Sequence, residues 1–191
     1  LKRAYEPLLV SVDIGNHPDV WVVNDTAAEV QGTCQVGLYD MAADRWEATC
    51  EFPVKAAAGE SAFAGRADCF GQFTRDKIIR AKLVDQAGEV LAVGHSFADI
   101  ERHLTFPEPE LTMKAQGDVL ILKAGRFAHG VELTGEEEGD SFGWYFSDNY
   151  FDLFPGEEKR ITVAGRHKSG RIFARAAYSA QCVTAAWRRD A

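Results

Sequence analysis

The chain has 191 residues, 46% of them hydrophobic and 26% charged, with a formal net charge of −8. That length allows one large or two small domains, and no apolar run approaches the roughly 18 residues that a membrane helix needs. The acidic balance argues against nucleic acid and anionic membrane as partners, since both call for clustered Lys or Arg.

The first nine residues, LKRAYEPLL, carry a helix-like start that Pro7 stops. They begin at Leu rather than Met and lack a basic-then-apolar leader, which reads as a piece of a longer protein with no visible signal peptide. From there a period of two dominates. VWVVND (20–25), TCQVGLYD (33–40), KIIRAKLVD (77–85) and EVLAVGHSF (89–97) are predicted strands, and Gln86-Ala87-Gly88 is predicted to close a hairpin. DVLILKA (118–124), HGVELTG (129–135), KRITVAG (159–165) and RIFARAAYSA (171–180) follow, with Lys168-Ser169-Gly170 predicted as another hairpin turn. Short strands spaced about 8–12 residues apart predict an all-β chain of antiparallel sandwiches. The Pro107 and Pro109 segment reads as a stiff linker or exposed edge, dividing the chain into residues 1–104 and 105–191.

Candidate chemistry concentrates in FSDNYFDLFPGEE (146–158). Asp148-Asn149 suits an Asx turn, and Phe154-Pro155-Gly156-Glu157 a type II turn with core aromatics on either side. The competing reading makes Trp144, Tyr145 or Tyr150 a stacking platform for a sugar ring and Asp148 an acceptor for its hydroxyls. A retaining glycosidase needs two carboxyl groups about 5–5.5 Å apart with one shielded; Asp148 and Asp152 on one loop of a small sandwich lack the cleft. Asn24-Asp25-Thr26 reads as a strand-ending Asx turn, Glu136-Glu137-Glu138 as a solvated acidic loop, and Arg166-His167-Lys168 and Arg188-Arg189 as solvated turns. The five histidines stand too far apart for a metal face, and His103 and His129 read as surface or interface residues. Trp21, Trp46, Trp144 and Trp187 are most simply core, with Trp21 and Trp46 alternatively facing a neighbouring domain. Cys34, Cys50, Cys69 and Cys182 show no metal spacing. Free thiols are expected, which favours a reducing, cytoplasmic compartment; one bond among the first three is the alternative.

LKRAYEPLLVSV at the start, VWVVNDT at 20–26 and FSDNYFDLFPGEEKRITV at 146–163 together resemble the carboxy-terminal part of β-mannosidases of glycoside hydrolase family 2. Exo-β-glucosaminidases are relatives. The resemblance implies two tandem immunoglobulin-like β-sandwiches, residues 1–104 following a catalytic (β/α)8 barrel and 105–191 after them, with LKRAYEPLL leaving the barrel's last helix. It implies no cofactor. The family's two catalytic glutamates belong to the barrel, so no catalytic residue carries over to this sequence. The expected role is an accessory one that buttresses the barrel of the same parent chain. The parent would hydrolyse terminal β-mannosides, or β-glucosaminides if it is the exo-glucosaminidase. A pair of independent carbohydrate-binding modules taking manno-oligosaccharide or glycan, or an adhesion module, are the other readings.

Overall fold

A computed structural model of the chain describes residues 5–15, 17–70 and 74–189. It divides into two compact units, residues 1–105 and 106–191. Each is an antiparallel β-sandwich.

In the first unit the strands are β1 (Leu8–Ile14), β2 (Pro18–Asn24), β3 (Val30–Asp40), β4 (Arg45–Ala56), β5 (Glu60–Arg66), β6 (Lys77–Val84) and β7 (Val90–Phe97). They form a three-stranded sheet ordered β1-β2-β5 and a four-stranded sheet ordered β4-β3-β6-β7. Alternation supplies the core between them: Val10, Val12, Val20 and Val22 from one sheet meet Cys34, Val36, Leu38, Ile79, Ala81 and Leu83 from the other. The β6–β7 hairpin forms where Gly88 suggests, with φ at +85°. Asp85 tightens it by accepting hydrogen bonds from the Ala87 and Glu89 amides at 2.8 and 2.9 Å.

The second unit has β8 (Leu111–Gln116), β9 (Val119–Ala124), β10 (Ala128–Glu136), β11 (Trp144–Phe146), β12 (Phe151–Leu153), β13 (Glu158–Gly165), β14 (Ser169–Arg175) and β15 (Cys182–Arg188). Its sheets are ordered β12-β10-β14-β15 and β11-β13-β9-β8. Leu120, Leu122, Ile161 and Val163 of one sheet pack on Val131, Leu133, Phe151 and Ile172 of the other.

Several expectations change. Leu1–Ala4 of the helix-like start lie outside the described residues, but Leu8 and Leu9 belong to β1, and the Pro7 carbonyl accepts a hydrogen bond from the Asp25 amide at 2.7 Å. Two leucines after a proline are as well suited to a strand as to a helix end, and pairing with β2 decides for the strand. β4 escapes the pattern because Pro53 interrupts it; a proline is tolerated there because β4 is an edge strand. The proline segment is not exposed throughout: Pro109 is buried, and its carbonyl accepts from the Arg126 amide at 3.1 Å. Lys168-Ser169-Gly170 is not a hairpin turn. β13 and β14 lie in different sheets, so residues 166–168 cross between sheets and Ser169 and Gly170 already belong to β14. Gly170 is small for another reason: a Cβ there would stand 2.8 Å from the Trp144 ring and 2.5 Å from the Glu136 carbonyl.

Candidate functional site

The FSDNYFDLFPGEE stretch runs from the end of β11 through β12 to the start of β13, and nearly every polar group in it is committed to the sandwich. Ser147 exchanges hydrogen bonds with Thr162, its amide donating to the Thr162 carbonyl and its Oγ accepting from the Thr162 amide, both at 2.9 Å. Asp148 pairs with Lys159 at 2.8 Å. Asn149 acts as a substitute peptide: its Oδ1 accepts from the Leu133 amide at 2.7 Å and its Nδ2 donates to the Leu133 carbonyl at 3.0 Å. One side-chain amide thereby supplies β10 with the donor and acceptor that a neighbouring strand would have given. Asp152 accepts from the Gly130 amide at 2.7 Å and stands 2.7 Å from His129 Nδ1. Phe151, Leu153 and Phe154 are buried. The turn then closes as the Pro-Gly pair requires, with Gly156 at φ +81° and the Glu157 amide donating to the Phe154 carbonyl at 3.1 Å.

Of the residues predicted to touch sugar, Trp144 is half-buried. Its ring lies over Gly135, where a Cβ would stand 2.3 Å away, and over Gly170. It stacks on His167 at 4.5 Å between centroids and meets Trp187 edge-on at 5.3 Å. Its Nε1 is buried without a hydrogen-bond partner among the described residues. Tyr150 is the contrast: 61% exposed, at φ +54°, with its hydroxyl 2.9 Å from Glu132 Oε1. The structure brings Asp148 and Tyr150 onto one connection and turns Trp144 into the core. Trp187 is core as expected, whereas Trp21 and Trp46 lie on outer faces, Trp21 tilted against Phe63 and Trp46 against Tyr39.

Two further groups went unrecognised in the sequence. His129 is not a surface residue; its ring is part-buried and stacks on Phe106, which stacks in turn on Tyr178, at 4.7 and 5.2 Å. His167, read as part of a solvated basic turn, is only 5% exposed. Its Nδ1 lies 2.8 Å from Glu137 Oε2 and its Nε2 2.6 Å from the Phe142 carbonyl. A carboxylate and a carbonyl are both acceptors, so the site favours donation from both ring nitrogens and hence the imidazolium form. Glu137 is accordingly no solvated loop residue. It starts a tight turn through Glu138 and Gly139, both at positive φ, that the Glu137 and Asp140 backbones close.

No curated protein matches the chain. Two family models do: the Mannosidase Ig/CBM-like domain over residues 16–99, and the Ig-fold domain of the Ig_mannosidase family over residues 106–176. Each unit thus matches a mannosidase-type immunoglobulin-like domain. Among solved structures, exo-chitosanase CsxA of Amycolatopsis orientalis matches 96% of this chain at 18% identity with a TM-score of 0.71. Its complex with PNP-β-D-glucosamine matches 96% at 17% identity and a TM-score of 0.72. This chain spans 27% of the length of either. At such identity the likeness speaks to the fold, and it embraces both sandwiches of the mannosidase-type pair.

The charge on His167 gives this mannosidase-type sandwich a pH dependence. The Glu137 carboxylate, then the Phe142 carbonyl, hold the ring's pKa above its usual value of 6.5. The folded state therefore binds the proton more tightly than the unfolded chain does. That stabilisation is complete below 6.5 and is lost as pH rises through the raised folded value. Glu137, held below 4.5 by the hydrogen bond to His167, contributes the opposite limb, lost as pH falls through its lowered value. Stability of the second unit should thus decline as pH rises above 6.5 and through the raised folded value, read by urea unfolding across pH. His167→Gln should flatten that decline; an unchanged slope in the variant would place the titrating group elsewhere.

Proposed function

We propose that the chain is a non-catalytic, accessory pair of sandwiches from a retaining exo-glycosidase of the family 2 type, positioned carboxy-terminal to its barrel and buttressing it. Residues 1–104 would form the sandwich that follows the barrel and residues 105–191 the next. The observation that carries the reading is the internal commitment of the 146–158 stretch. Asp148 and Asp152, its nearest imitation of a catalytic carboxylate pair, are each engaged by a cation or a histidine within the same sandwich. A carboxylate tied up in that way is not free to attack an anomeric carbon.

The parent is proposed to release terminal β-mannose, the assignment that the family descriptions support. Likeness to an exo-chitosanase supports the β-glucosaminide alternative. The experiment is to assay the parent protein and this chain separately on a panel of nitrophenyl glycosides. Cleavage of the β-mannoside by the parent, with none by the chain alone, is the expected result. A parent active only on the β-glucosaminide changes the substrate and leaves the accessory role. Turnover by the chain alone would overturn that role.

A second reading, sugar capture by the second unit, draws on the open ring of Tyr150, with Asp148 beside it and Trp144 behind in the core. It expects calorimetric binding of a manno-oligosaccharide that Tyr150→Ala removes while the fold is kept. An unbroken baseline with the parent chain would dismiss it.

A further inference from the structure

The first unit holds an arrangement of sulfur that the accessory role does not use. β4 directs Ala48, Cys50, Phe52 and Val54 at the core between the sheets. Phe52 lies across Gly65 of β5, where a Cβ would stand 2.3 Å from its ring, so the two edge strands are in side-chain contact. Past Gly65 the chain is fixed at three points. Arg66 pairs with Asp19 at 2.7 Å, the Ala67 amide donates to the Pro18 carbonyl at 2.9 Å, and Phe70 is buried. The short 3-10 turn Asp68–Phe70 is thereby held against β4, just past the Phe52–Gly65 contact, which sets Cys69 beside Cys50. Both cysteines are free; Cys69 is exposed and Cys50 half-covered.

We propose that Cys50 and Cys69 are a dithiol that closes to an intramolecular disulfide when the protein meets a small-molecule disulfide such as oxidised glutathione. Cys69 is the entry point because solvent reaches it. Its thiol loses a proton, and the thiolate attacks one glutathione sulfur. The new Cys69–glutathione bond forms as the old sulfur–sulfur bond breaks, and one glutathione thiolate leaves and takes up a proton. Cys50 then attacks Cys69 Sγ, its own proton passing through solvent to the second departing glutathione thiolate. Two protein thiols are oxidised and one glutathione disulfide is reduced to two thiols. Burial first, and the Cys69 sulfur after it, raise the Cys50 thiol, so Cys50 is the poorer first nucleophile; its second-step attack relies on proximity to Cys69 to offset a small thiolate fraction. Cys34, buried and raised to about 11, stays out of the exchange, and Cys182 belongs to the other unit. The bond would staple the turn to the open edge of the sandwich.

The test uses the full chain with Cys182→Ser, which removes the exposed thiol of the second unit. It is treated with oxidised glutathione, then alkylated, weighed intact and mapped by non-reducing peptide digestion. The expected product is two hydrogens lighter, carries no glutathione, and yields one linked peptide pair containing Cys50 and Cys69. Closing that loop should raise the melting temperature of the first unit by on the order of 10 °C, reversed by a thiol reductant. In the Cys50→Ser variant the reaction should stop at a glutathione adduct on Cys69. A stable adduct on Cys69 with Cys50 still alkylated, a link to Cys34, or an unreactive Cys69 would each overturn the proposal.

Discussion

Trp144→Ala should destabilise the second unit by about 3 kcal/mol and leave it folded only marginally, if at all, in mild denaturant. The ring fills a slot floored by Gly135 and Gly170 and walled by His167 and Trp187. Neither glycine can extend a side chain into the gap, so little can relax into the space that truncation leaves. The imidazolium of His167 would also lose the aromatic face it stacks on, a contact favourable to a cation. Site-resolved hydrogen exchange is the appropriate measurement. Amides of β9, β10 and β13 should lose on the order of 100-fold in protection, while those of β3 and β6 give an internal reference. Unchanged protection with a lost sugar affinity would return Trp144 to the role of a ligand platform.

Asn24 should prove the most sensitive polar residue of the first unit. It is fully buried at the end of β2, and the two protons of its Nδ2 are shared among the carbonyls of Ala28, Ala56 and Ala57 at 2.9–3.0 Å. Its Oδ1 accepts from the Thr26 amide at 3.1 Å, so one side chain ties together the turn after β2 and the β4–β5 connection. Asn24→Ala should cost about 3 kcal/mol, because the buried Ala56 carbonyl loses this donor and the turn after β2 loses its tie to the β4–β5 connection. Asn24→Asp is the sharper form. A carboxylate can keep the Thr26 contact, but it presents charge and no donor to three carbonyl oxygens, so its cost should exceed that of alanine. The urea midpoint of the first unit, measured for both variants, gives the order; an aspartate as stable as the wild type would contradict the donor role.

These two residues also mark what the sequence discloses and what it withholds. VWVVND and the Asx chemistry at its end were legible because alternation and a terminal Asn-Asp are local signals, and the structure places Asn24 at the end of β2. The 146–158 stretch announced its Pro-Gly turn for the same reason. Asn149 as a substitute peptide for Leu133 was not legible, since its partner lies 16 residues away and depends on how β10 and β12 pair with a register shift. His167 was hidden by its neighbours. Arg166 and Lys168 made the triplet look solvated, yet where the chain crosses between the sheets these two exposed residues flank a buried one. β4 and β5 were missed because Pro53 and an alanine-rich stretch depress strand propensity, which edge positions tolerate. Trp144 looked like a platform because a half-buried aromatic beside acids suits a sugar as well as a core. The glycines that receive it lie on two other strands, and only the packing of one sheet on the other brings them beneath the ring.

Pro53 has a further meaning for the protein in solution. β4 is the longest strand of its sheet at 12 residues, and it stands at the border of that sheet. An uninterrupted border of that length is a template on which a second copy could add its own strand and begin a fibril. The pyrrolidine ring removes one donor from the row, and Glu47, Glu51 and Lys55 put charge along the same strand. A copy approaching in register would meet a missing bond at the proline and like charges in its own image. The same residue that disguises β4 as a loop keeps it from recruiting its twin.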